Sequence, residues 1–431
     1  MDTGELYSLV RSASGISIDT RSLKKGEIFF ALKGPNFDGN RYAKAALEAG
    51  AVAAVTDDPS LKNDRIIVVS DVMASLTGLA SLHRSRLNVP VIAITGTNGK
   101  TTTKELVTAV LSRKGRVHAT KGNLNNHIGV PVTLLTSPDD AKYLVIEMGA
   151  NHKGEIASLC AVAQPTHGII TNIGKAHLEG FGSFEDVIAA KSELYKWLLK
   201  TGGIAIFNEK NHILKDLIYH YVHKAVPYSN PDGSEMVIDH VPGDDMLLNV
   251  SADFEGRHYA FSTSLFGDYN LDNIRAAMAA GVFFEVPFKE IISAVSSYKP
   301  SNNRSQVLST GHNTLICDSY NANPSSMSLA LTSFAELRAE KKMVILGDML
   351  ELGADSQSEH LGVIEFLDKL DGIEVHLVGP LFRSVIGGRK MSSYLTSEEA
   401  RESLAKKAPR NQTILVKGSR GMTLEKIYGV L

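Results

Sequence analysis

Short apolar runs alternate with amphipathic stretches along most of this 431-residue chain. The runs at 89–95, 142–148 and 167–173 are rich in β-branched and other apolar residues, as is typical of parallel strands buried on both faces. Between such runs, apolar residues recur three and four positions apart, which is the spacing of helices that pack on one side. Strands that alternate with helices predict right-handed βαβ units around mostly parallel sheets. We therefore predict an α/β fold.

Three blocks with different patterns predict three domains. Residues 1–87 form a small α/β block with a strand-rich start, and the polar segment HRSRLNVP at its end is interpreted as a linker. Residues 88–300 predict a mostly parallel sheet, with antiparallel strands expected between 236 and 267 because the alternation there is short. Residues 301–431 follow a boundary rich in Pro, Ser and Asn, and predict a Rossmann-like, doubly wound domain.

Charge and cysteine content limit the class of protein. The chain has 45 Lys and Arg against 47 Asp and Glu, for a net charge of −2, so no overall positive field favours nucleic acid. Its two cysteines, Cys160 and Cys317, cannot build a disulfide framework. No apolar run approaches the ~20 residues that cross a bilayer, and acidic residues stand near the start, where a secretory signal is basic. We expect a cytoplasmic protein without membrane insertion.

The segment VPVIAITGTNGKTTT, residues 89–103, places a glycine loop between a buried strand and a helix. The common P-loop G-x-x-x-x-G-K-[ST] requires glycine where this chain has Ile94, so this loop is shorter. It still directs free N–H groups and the positive end of a helix dipole at one point. A tight turn in an unrelated domain is the alternative. The predicted ATP contacts are Gly96, Thr97, Asn98, Gly99, Lys100, Thr101 and Thr102, with the charge of Lys100 on the phosphates and the Thr101 hydroxyl on Mg²⁺.

Two polar residues near strand ends are candidates for a metal site. Glu147 closes the strand at 142–148, and a carboxylate there suits Mg²⁺, which takes oxygen ligands. It could equally cap a nearby helix. His177 follows the strand at 167–173, where either metal contact or ordinary polar surface is consistent with the pattern.

Lys191 falls on the apolar face of a predicted helix, four positions after Val187 and three after Ile188. One interpretation is that its aliphatic stem lies along the core while the amine reaches water. The other is that desolvation lowers its pKa, so that the neutral amine takes up CO₂ and becomes an anionic carbamate with metal-binding oxygens. Periodicity alone favours the first interpretation, in which the amine reaches water.

Three further residues, Arg304, Asn270 and Asn273, could contact a nucleotide. Arg304 lies in a polar boundary segment, where it could be solvated or could clamp a γ-phosphate. Asn270 and Asn273 lie three apart on one helix face, and could meet a purine or cap the helix. Asp318 ends a predicted strand in the third block.

Together these segments resemble the Mur ligases, the ATP-dependent amide-forming enzymes of peptidoglycan precursor synthesis. TGTNGKTT is similar to the short P-loop of that superfamily, and GNLNNHIGVP, EMGANHKGEI and AAKSELY are similar to its central domain. DSYNANPSS resembles the members that add D-Ala-D-Ala, whereas the D-N-P-R motif of the ligase for the third amino acid is absent. One departure is Asn303, which stands before Arg304 where glycine is common.

The resemblance implies a ligase that joins D-Ala-D-Ala to UDP-N-acetylmuramoyl-tripeptide through an acyl phosphate, giving ADP and phosphate. It implies two Mg²⁺ ions held by Thr101, Glu147, His177 and a carbamylated Lys191, adenine near Asn270 and Asn273, and Arg304 and Asp318 at ATP. Lys100, Lys191, His177 and Arg304 are its expected catalytic residues, and a monomer is expected. The alternatives are another ligase of the superfamily, such as a folylpolyglutamate synthase, or a P-loop ATPase that is not a ligase. The expected substrate contacts are Thr20, Arg21, Asn36, Asp38, Asn123, Asn125 and Asn126.

Overall fold

The computed structural model describes residues 2–175, 178–243 and 246–431. The chain divides into two compact units. The first contains the residues up to Ala93 together with Gly115–Ala150 and Gly154–His167, and the second contains Ile94–Lys114, Asn151–Lys153 and Gly168–Leu431.

The N-terminal stretch is a small α/β layer. Its four-stranded sheet has the order β1-β2-β5-β6, all pairs are parallel, and a short antiparallel pair, β3–β4, stands apart. The first helix begins at a capping box, in which Asp2 and Glu5 exchange side-chain to backbone hydrogen bonds. The elements are α1 Thr3–Ser12, β1 Ile16–Ser17, β2 Ile28–Phe30, β3 Lys33–Gly34, β4 Phe37–Asp38, α2 Ala43–Glu48, β5 Ala53–Thr56, β6 Ile66–Val68 and α3 Val72–Arg86.

The interpretation of HRSRLNVP as a linker is wrong for its first four residues, because α3 continues to Arg86. His83 and Arg84 are buried rather than solvated. The His83 ring makes hydrogen bonds to Tyr7 Oη (2.8 Å) and Ser137 Oγ (2.9 Å), and the Arg84 guanidinium donates to the Ala163 carbonyl at 2.9 Å. Buried polar groups that are satisfied in this way can lie inside a fold, and local polarity does not reveal their partners.

The central stretch contains a six-stranded sheet of order β12-β11-β10-β7-β9-β8. Every residue of β7 is buried, as the apolar run at residues 89–95 predicts. The elements are β7 Val91–Thr95, α4 Lys100–Leu111, β8 Val117–Ala119, α5 Gly129–Leu135, β9 Tyr143–Glu147, α6 Glu155–Ala163, β10 His167–Ile170, α7 Leu178–Phe181, α8 Phe184–Thr201, β11 Ile204–Phe207, α9 His212–Tyr221 and β12 Lys224–Pro227.

A separate antiparallel sheet follows, as the short alternating segments predict. Its order is β13-β14-β15, with a register shift between Leu247 and Asn249 that marks an irregularity in the ladder. Two helices then pack against the helix that follows the glycine loop. The elements are β13 Met236–His240, β14 Leu247–Phe254, β15 Arg257–Phe266, α10 Leu271–Phe283 and α11 Phe288–Ser297.

The C-terminal stretch is doubly wound. Its sheet has the order β16-β17-β21-β18-β19-β20, in which only the β16–β17 pair is antiparallel among the described pairs. Alternate residues of β17 enter two different cores: Ile316 lies in one buried cluster, and Leu315 and Cys317 in the other. The elements are β16 Gln306–Ser309, β17 Thr314–Asp318, α12 Pro324–Glu336, β18 Lys342–Gly347, α13 Ser356–Leu367, β19 Ile373–Val378, α14 Pro380–Val385, β20 Ser392–Tyr394, α15 Ser397–Lys406 and β21 Thr413–Lys417.

The predicted α/β class with mostly parallel sheets is confirmed by this architecture. The boundaries at 87/88 and 300/301 stay a prediction. Within the described ranges, none of the helices combines the length and the apolar character that crossing a bilayer requires.

Candidate nucleotide and ligation site

The glycine loop joins the end of β7 to the start of α4 in a conformation that only glycine adopts easily. Gly96 has a φ of +141° and Gly99 a φ of +79°. A Cβ on Gly96 would lie 2.1 Å from Thr171 Oγ1, and one on Gly99 would lie 2.3 Å from Asn273 Oδ1. Both glycines are therefore required by backbone conformation and by close packing. The N–H groups of the first helical turn remain at the loop, where they can face an anion.

Residues after β10 hold this loop from the side. The Asn98 backbone N–H donates to Asn172 Oδ1 at 2.9 Å, and its carbonyl accepts from Thr171 Oγ1 at 2.5 Å. The Thr97 hydroxyl both donates to the Gly174 carbonyl (3.1 Å) and accepts from the Gly174 N–H (2.9 Å). Sequence reasoning missed Thr171, Asn172 and Gly174 as loop supports. Their position directly after a buried strand is the signal that could have identified them.

Lys100 is the first residue of α4, and its amine lies over the loop. Its Nζ donates to the carbonyl oxygens of Gly96 (2.8 Å) and Thr97 (3.0 Å). An ammonium group so close to the loop adds a positive charge where a phosphate would be bound. Thr101 and Thr102 follow in the first turn, and both are buried.

Asn273 supports the loop from α10. Its Oδ1 accepts from Thr103 Oγ1 at 3.0 Å and its Nδ2 donates to Asn270 Oδ1 at 2.8 Å. Asn270 in turn donates to the Phe266 carbonyl at 2.8 Å. The two side-chain amides thus form a buried chain of hydrogen bonds that reaches Thr103 in the first turn of α4. Both residues are expected near adenine, and their contact with a purine stays a prediction.

Asn323 joins the loop to the C-terminal stretch. It caps α12, with its Oδ1 accepting from the Ser326 N–H and with Pro324 in the first turn. The same side chain donates through Nδ2 to Asn98 Oδ1 at 2.8 Å. One residue therefore starts a helix and restrains the tip of the phosphate loop.

Arg304 lies between two residues with left-handed backbone. Asn303 has a φ of +50° and Ser305 a φ of +49°, which explains why glycine suits the position of Asn303 and why asparagine, which tolerates this region, can replace it. The guanidinium stacks on the Tyr320 ring, with Cζ 3.9 Å from its centroid. Its Nε is buried and has no hydrogen-bond partner among the described residues. This N–H group can donate a hydrogen bond to a ligand oxygen.

Asp318 lies at the end of β17 and is already engaged by protein groups. One oxygen accepts from the Ser305 N–H at 3.1 Å, and the other pairs with Lys417 Nζ at 2.5 Å. The Ser305 hydroxyl also contacts Tyr269 Oη (2.9 Å) and accepts from Asn270 Nδ2 at 3.1 Å. Lys417, which sequence reasoning did not select, is opposite Asp318 in the parallel β17–β21 pair.

Glu147 ends β9 in the first unit and is 1% exposed. Its Oε1 accepts from Asn125 Nδ2 at 2.8 Å, and its backbone N–H donates to Thr120 Oγ1 at 3.0 Å. Its Oε2 is buried without a hydrogen-bond partner among the residues described. A buried carboxylate oxygen without a partner is costly unless a cation completes it, so this position suits a divalent metal ion.

Lys191 lies in α8 of the second unit and is 2% exposed, so the interpretation in which its amine reaches water is wrong. Its Nζ lies 5.5 Å from the centroid of the Phe181 ring. His177 lies outside the described residues. In the part of the chain that the structure describes, no three His, Cys, Asp or Glu side chains form a metal cluster, and the predicted set relies instead on Thr101 and a modified Lys191.

The residues expected to meet the UDP-linked substrate are spread over the first unit. Arg21 forms an ion pair with Asp19 (2.6 Å), and its hydrogen bond lowers the pKa of Asp19 to about 2. Asp38 accepts from the Asn40 N–H at 3.1 Å, and Asn126 Oδ1 accepts from the N–H of Gly129, the first residue of α5, at 2.9 Å. Of the remaining expected contacts, Asn36 and Asn123 are exposed, and Thr20 and Asn125 are half-buried.

Three family models match the chain in succession: "Mur ligase family, catalytic domain" at residues 12–94, "Mur ligase middle domain" at 94–281 and "Mur ligase, glutamate ligase domain" at 303–420. A UDP-N-acetylmuramoyl-tripeptide–D-alanyl-D-alanine ligase from Bacillus subtilis (strain 168) is 35% identical over 96% of this chain and 92% of its own length.

Two solved structures are also similar. MurF from Acinetobacter baumannii matches with a TM-score of 0.85 at 28% identity, covering 99% of this chain and 97% of that one. MurF ligase from Thermotoga maritima in complex with ADP matches with a TM-score of 0.83 at 26% identity, covering 96% of each chain.

Proposed function

The chain belongs to the Mur ligase family, and from this premise we propose that it joins D-Ala-D-Ala to UDP-N-acetylmuramoyl-tripeptide. It is an ATP-dependent peptide ligase, and the reaction gives ADP and phosphate. The observation that carries the proposal is the loop Gly96–Lys100, whose left-handed glycines and helix N-terminus form a phosphate cradle. The similar ligase from Thermotoga maritima binds ADP, which supports a nucleotide at the corresponding loop.

The chemistry starts from a carboxylate, which is a poor acyl donor. ATP first transfers its γ-phosphoryl group to the terminal carboxylate of the tripeptide, forming an acyl phosphate. The amine of D-Ala-D-Ala then attacks the acyl carbon, and phosphate leaves from the tetrahedral intermediate. Lys100 and the N–H groups of the loop offset the repulsion between the two anions. Arg304, which stacks on Tyr320, is proposed to take part of the charge on the transferred group.

Thr101, Glu147 and a carbamylated Lys191 are the described residues proposed to hold Mg²⁺, with His177 from the sequence. The unpaired Oε2 of Glu147 and the burial of Lys191 both fit this role. When bound, Mg²⁺ supplies charge neutralisation at the phosphates. The carbamate would form by reaction of CO₂ with the buried Lys191 amine.

The remaining assignments follow from the family. Asn270, Asn273 and Asp318 are proposed to bind the nucleoside, and the residues of the first unit named above are proposed to bind the UDP-muramoyl group. We also propose that the protein is a monomer and acts in the cytoplasm, where its nucleotide-linked substrate and ATP are available.

The proposal is tested by incubating purified protein with ATP, Mg²⁺, UDP-N-acetylmuramoyl-tripeptide and D-Ala-D-Ala. Formation of ADP and phosphate should require both other substrates. Tripeptide labelled with ¹⁸O in its terminal carboxylate should transfer one labelled oxygen to phosphate. Release of AMP and pyrophosphate would overturn the mechanism.

Two control reactions separate the alternatives. Replacing D-Ala-D-Ala with glutamate should stop turnover, whereas a folylpolyglutamate synthase would use glutamate. Omitting the amine substrate should also stop net turnover, whereas a P-loop ATPase that is not a ligase would continue to hydrolyse ATP.

A further inference from the structure

Glu105 contacts the segment that leads to Arg304 with both of its carboxylate oxygens. Its Oε1 accepts from Asn302 Nδ2 at 2.8 Å, and its Oε2 accepts from Tyr298 Oη in a short hydrogen bond. Tyr298 is the C-cap of α11, directly after its last residue, and Asn302 lies two positions before Arg304. The segment from Tyr298 to Arg304 connects the central and C-terminal stretches. The Glu105 carboxylate therefore contacts this connection at its beginning, Tyr298, and in its middle, Asn302.

Glu105 belongs to the helix that binds the phosphates. It lies in α4, four positions after Thr101 and therefore one turn further on the same helix face. Its side chain is 23% exposed, and the adjacent amine of Lys104 lies 3.6 Å from Oε1. Burial and the nearby carboxylate raise the pKa of Tyr298, so its hydroxyl remains a donor at neutral pH. A charge-assisted hydrogen bond of this kind is stronger than one between neutral groups.

The segment after Asn302 needs such restraint. Asn303 and Ser305 both have left-handed backbone, a conformation that is unfavourable for residues other than glycine and persists only when surrounding contacts enforce it. After Arg304, hydrogen bonds with Asp318 and Asn270 hold Ser305 in place. Before Arg304, the hydrogen bond with Glu105 holds Asn302 in place.

We propose that Glu105 is a positioning residue for Arg304, linking the helix that starts at the phosphate loop to the arginine that meets the transferred phosphoryl group. This inference rests on the role proposed above for Arg304. Because Glu105 acts through another residue, it changes the alignment of reacting groups rather than the affinity for the UDP-linked substrate. Misplacement of about 1 Å in a catalytic group can lower the rate about a hundredfold.

The test compares Glu105→Ala with wild-type protein in the complete ligation assay. We expect kcat to fall about ten- to a hundredfold while KM for the UDP-tripeptide changes less than about twofold. Glu105→Gln, which keeps one acceptor oxygen, and Tyr298→Phe, which removes one donor, should give smaller decreases. Glu290→Ala is the matched control, because Glu290 joins α11 to Arg113, two residues after the end of α4, at 3.6 Å, but lies away from the connection. It should retain wild-type kcat.

A double-mutant cycle distinguishes positioning from general stabilisation. In an Arg304→Ala background, Glu105→Gln and Glu105→Ala should lower kcat no further, because the group that they position is gone. A full, multiplicative decrease in that background would overturn the inference, as would wild-type kcat in Glu105→Ala. If Arg304→Ala itself kept full activity, the assigned role of Arg304 and this inference would both fail, while ligation by the wild-type protein would leave the proposed function intact.

Discussion

Replacing Gly99 with alanine should damage the phosphate loop through one identifiable contact. The new Cβ would lie 2.3 Å from Asn273 Oδ1 and 3.1 Å from its Cγ, so the asparagine side chain has to move. That movement breaks its hydrogen bonds with Thr103 (3.0 Å) and Asn270 (2.8 Å), which are buried. Gly202→Ala is the control, because Gly202 is also left-handed (φ +70°) but a Cβ there meets no atom within 4 Å.

The expected magnitudes separate the two variants. A left-handed alanine costs roughly 1–2 kcal/mol in either place. Disrupting two buried hydrogen bonds adds about 2–4 kcal/mol at Gly99 alone. The free energy of unfolding should therefore fall by about 3–6 kcal/mol in Gly99→Ala and by about 1–2 kcal/mol in Gly202→Ala. The affinity for ADP should fall at least about tenfold only in Gly99→Ala, because the loop that contains Gly99 is the one proposed to hold the phosphates.

Urea unfolding followed by the fluorescence of the single tryptophan, Trp197, measures the first quantity, and titration calorimetry with ADP measures the second. Adding Asn273→Ala to Gly99→Ala provides a further check. This second change should cost less in the alanine variant than in wild-type protein, since the displaced side chain is already without its partners. Equal destabilisation by Gly99→Ala and Gly202→Ala would refute the reasoning.

Three other outcomes follow from the structure. Lys191→Ala should abolish ligation, and added short carboxylic acids should partly restore it; full activity in this variant would remove the carbamate from the mechanism. Asn323→Ala should lower ADP affinity severalfold, because its bond to Asn98 is lost, while Asn211→Ala, which removes only a helix cap worth about 1 kcal/mol, should not. Burial lowers the pKa of His83 from an ordinary 6.5 to about 4, so protonation favours unfolding. The contribution of the neutral His83 ring to the free energy of unfolding is complete above pH 6.5 and is lost as the pH falls towards 4. Relative to His83→Gln, wild-type protein should lose about 2 kcal/mol of unfolding free energy between pH 6.5 and 5, and an unchanged difference would contradict this account.

Local patterns in the chain determined the α/β class, the short phosphate loop and the antiparallel strands before α10. Each of these depends on neighbours within a few positions, such as the glycines around Asn98 or the asparagine and proline that begin α12. Hydrophobic periodicity and turn chemistry are properties of such short windows, so they can be read without tertiary contacts.

Only the tertiary structure decided how the polar residues are used. The linker interpretation was wrong at His83 because Ser137, which satisfies its ring, is 54 positions away. Periodicity did not settle whether the Lys191 amine reaches water, and the burial of Lys191 excluded the solvated amine. Glu105 meets Tyr298 and Asn302 across more than 190 positions, and Asn303 stands where glycine is common because its φ is +50°. Hydrogen bonds between distant segments and a single residue's backbone angle leave no periodic trace in a sequence, and therefore only the folded chain reveals them.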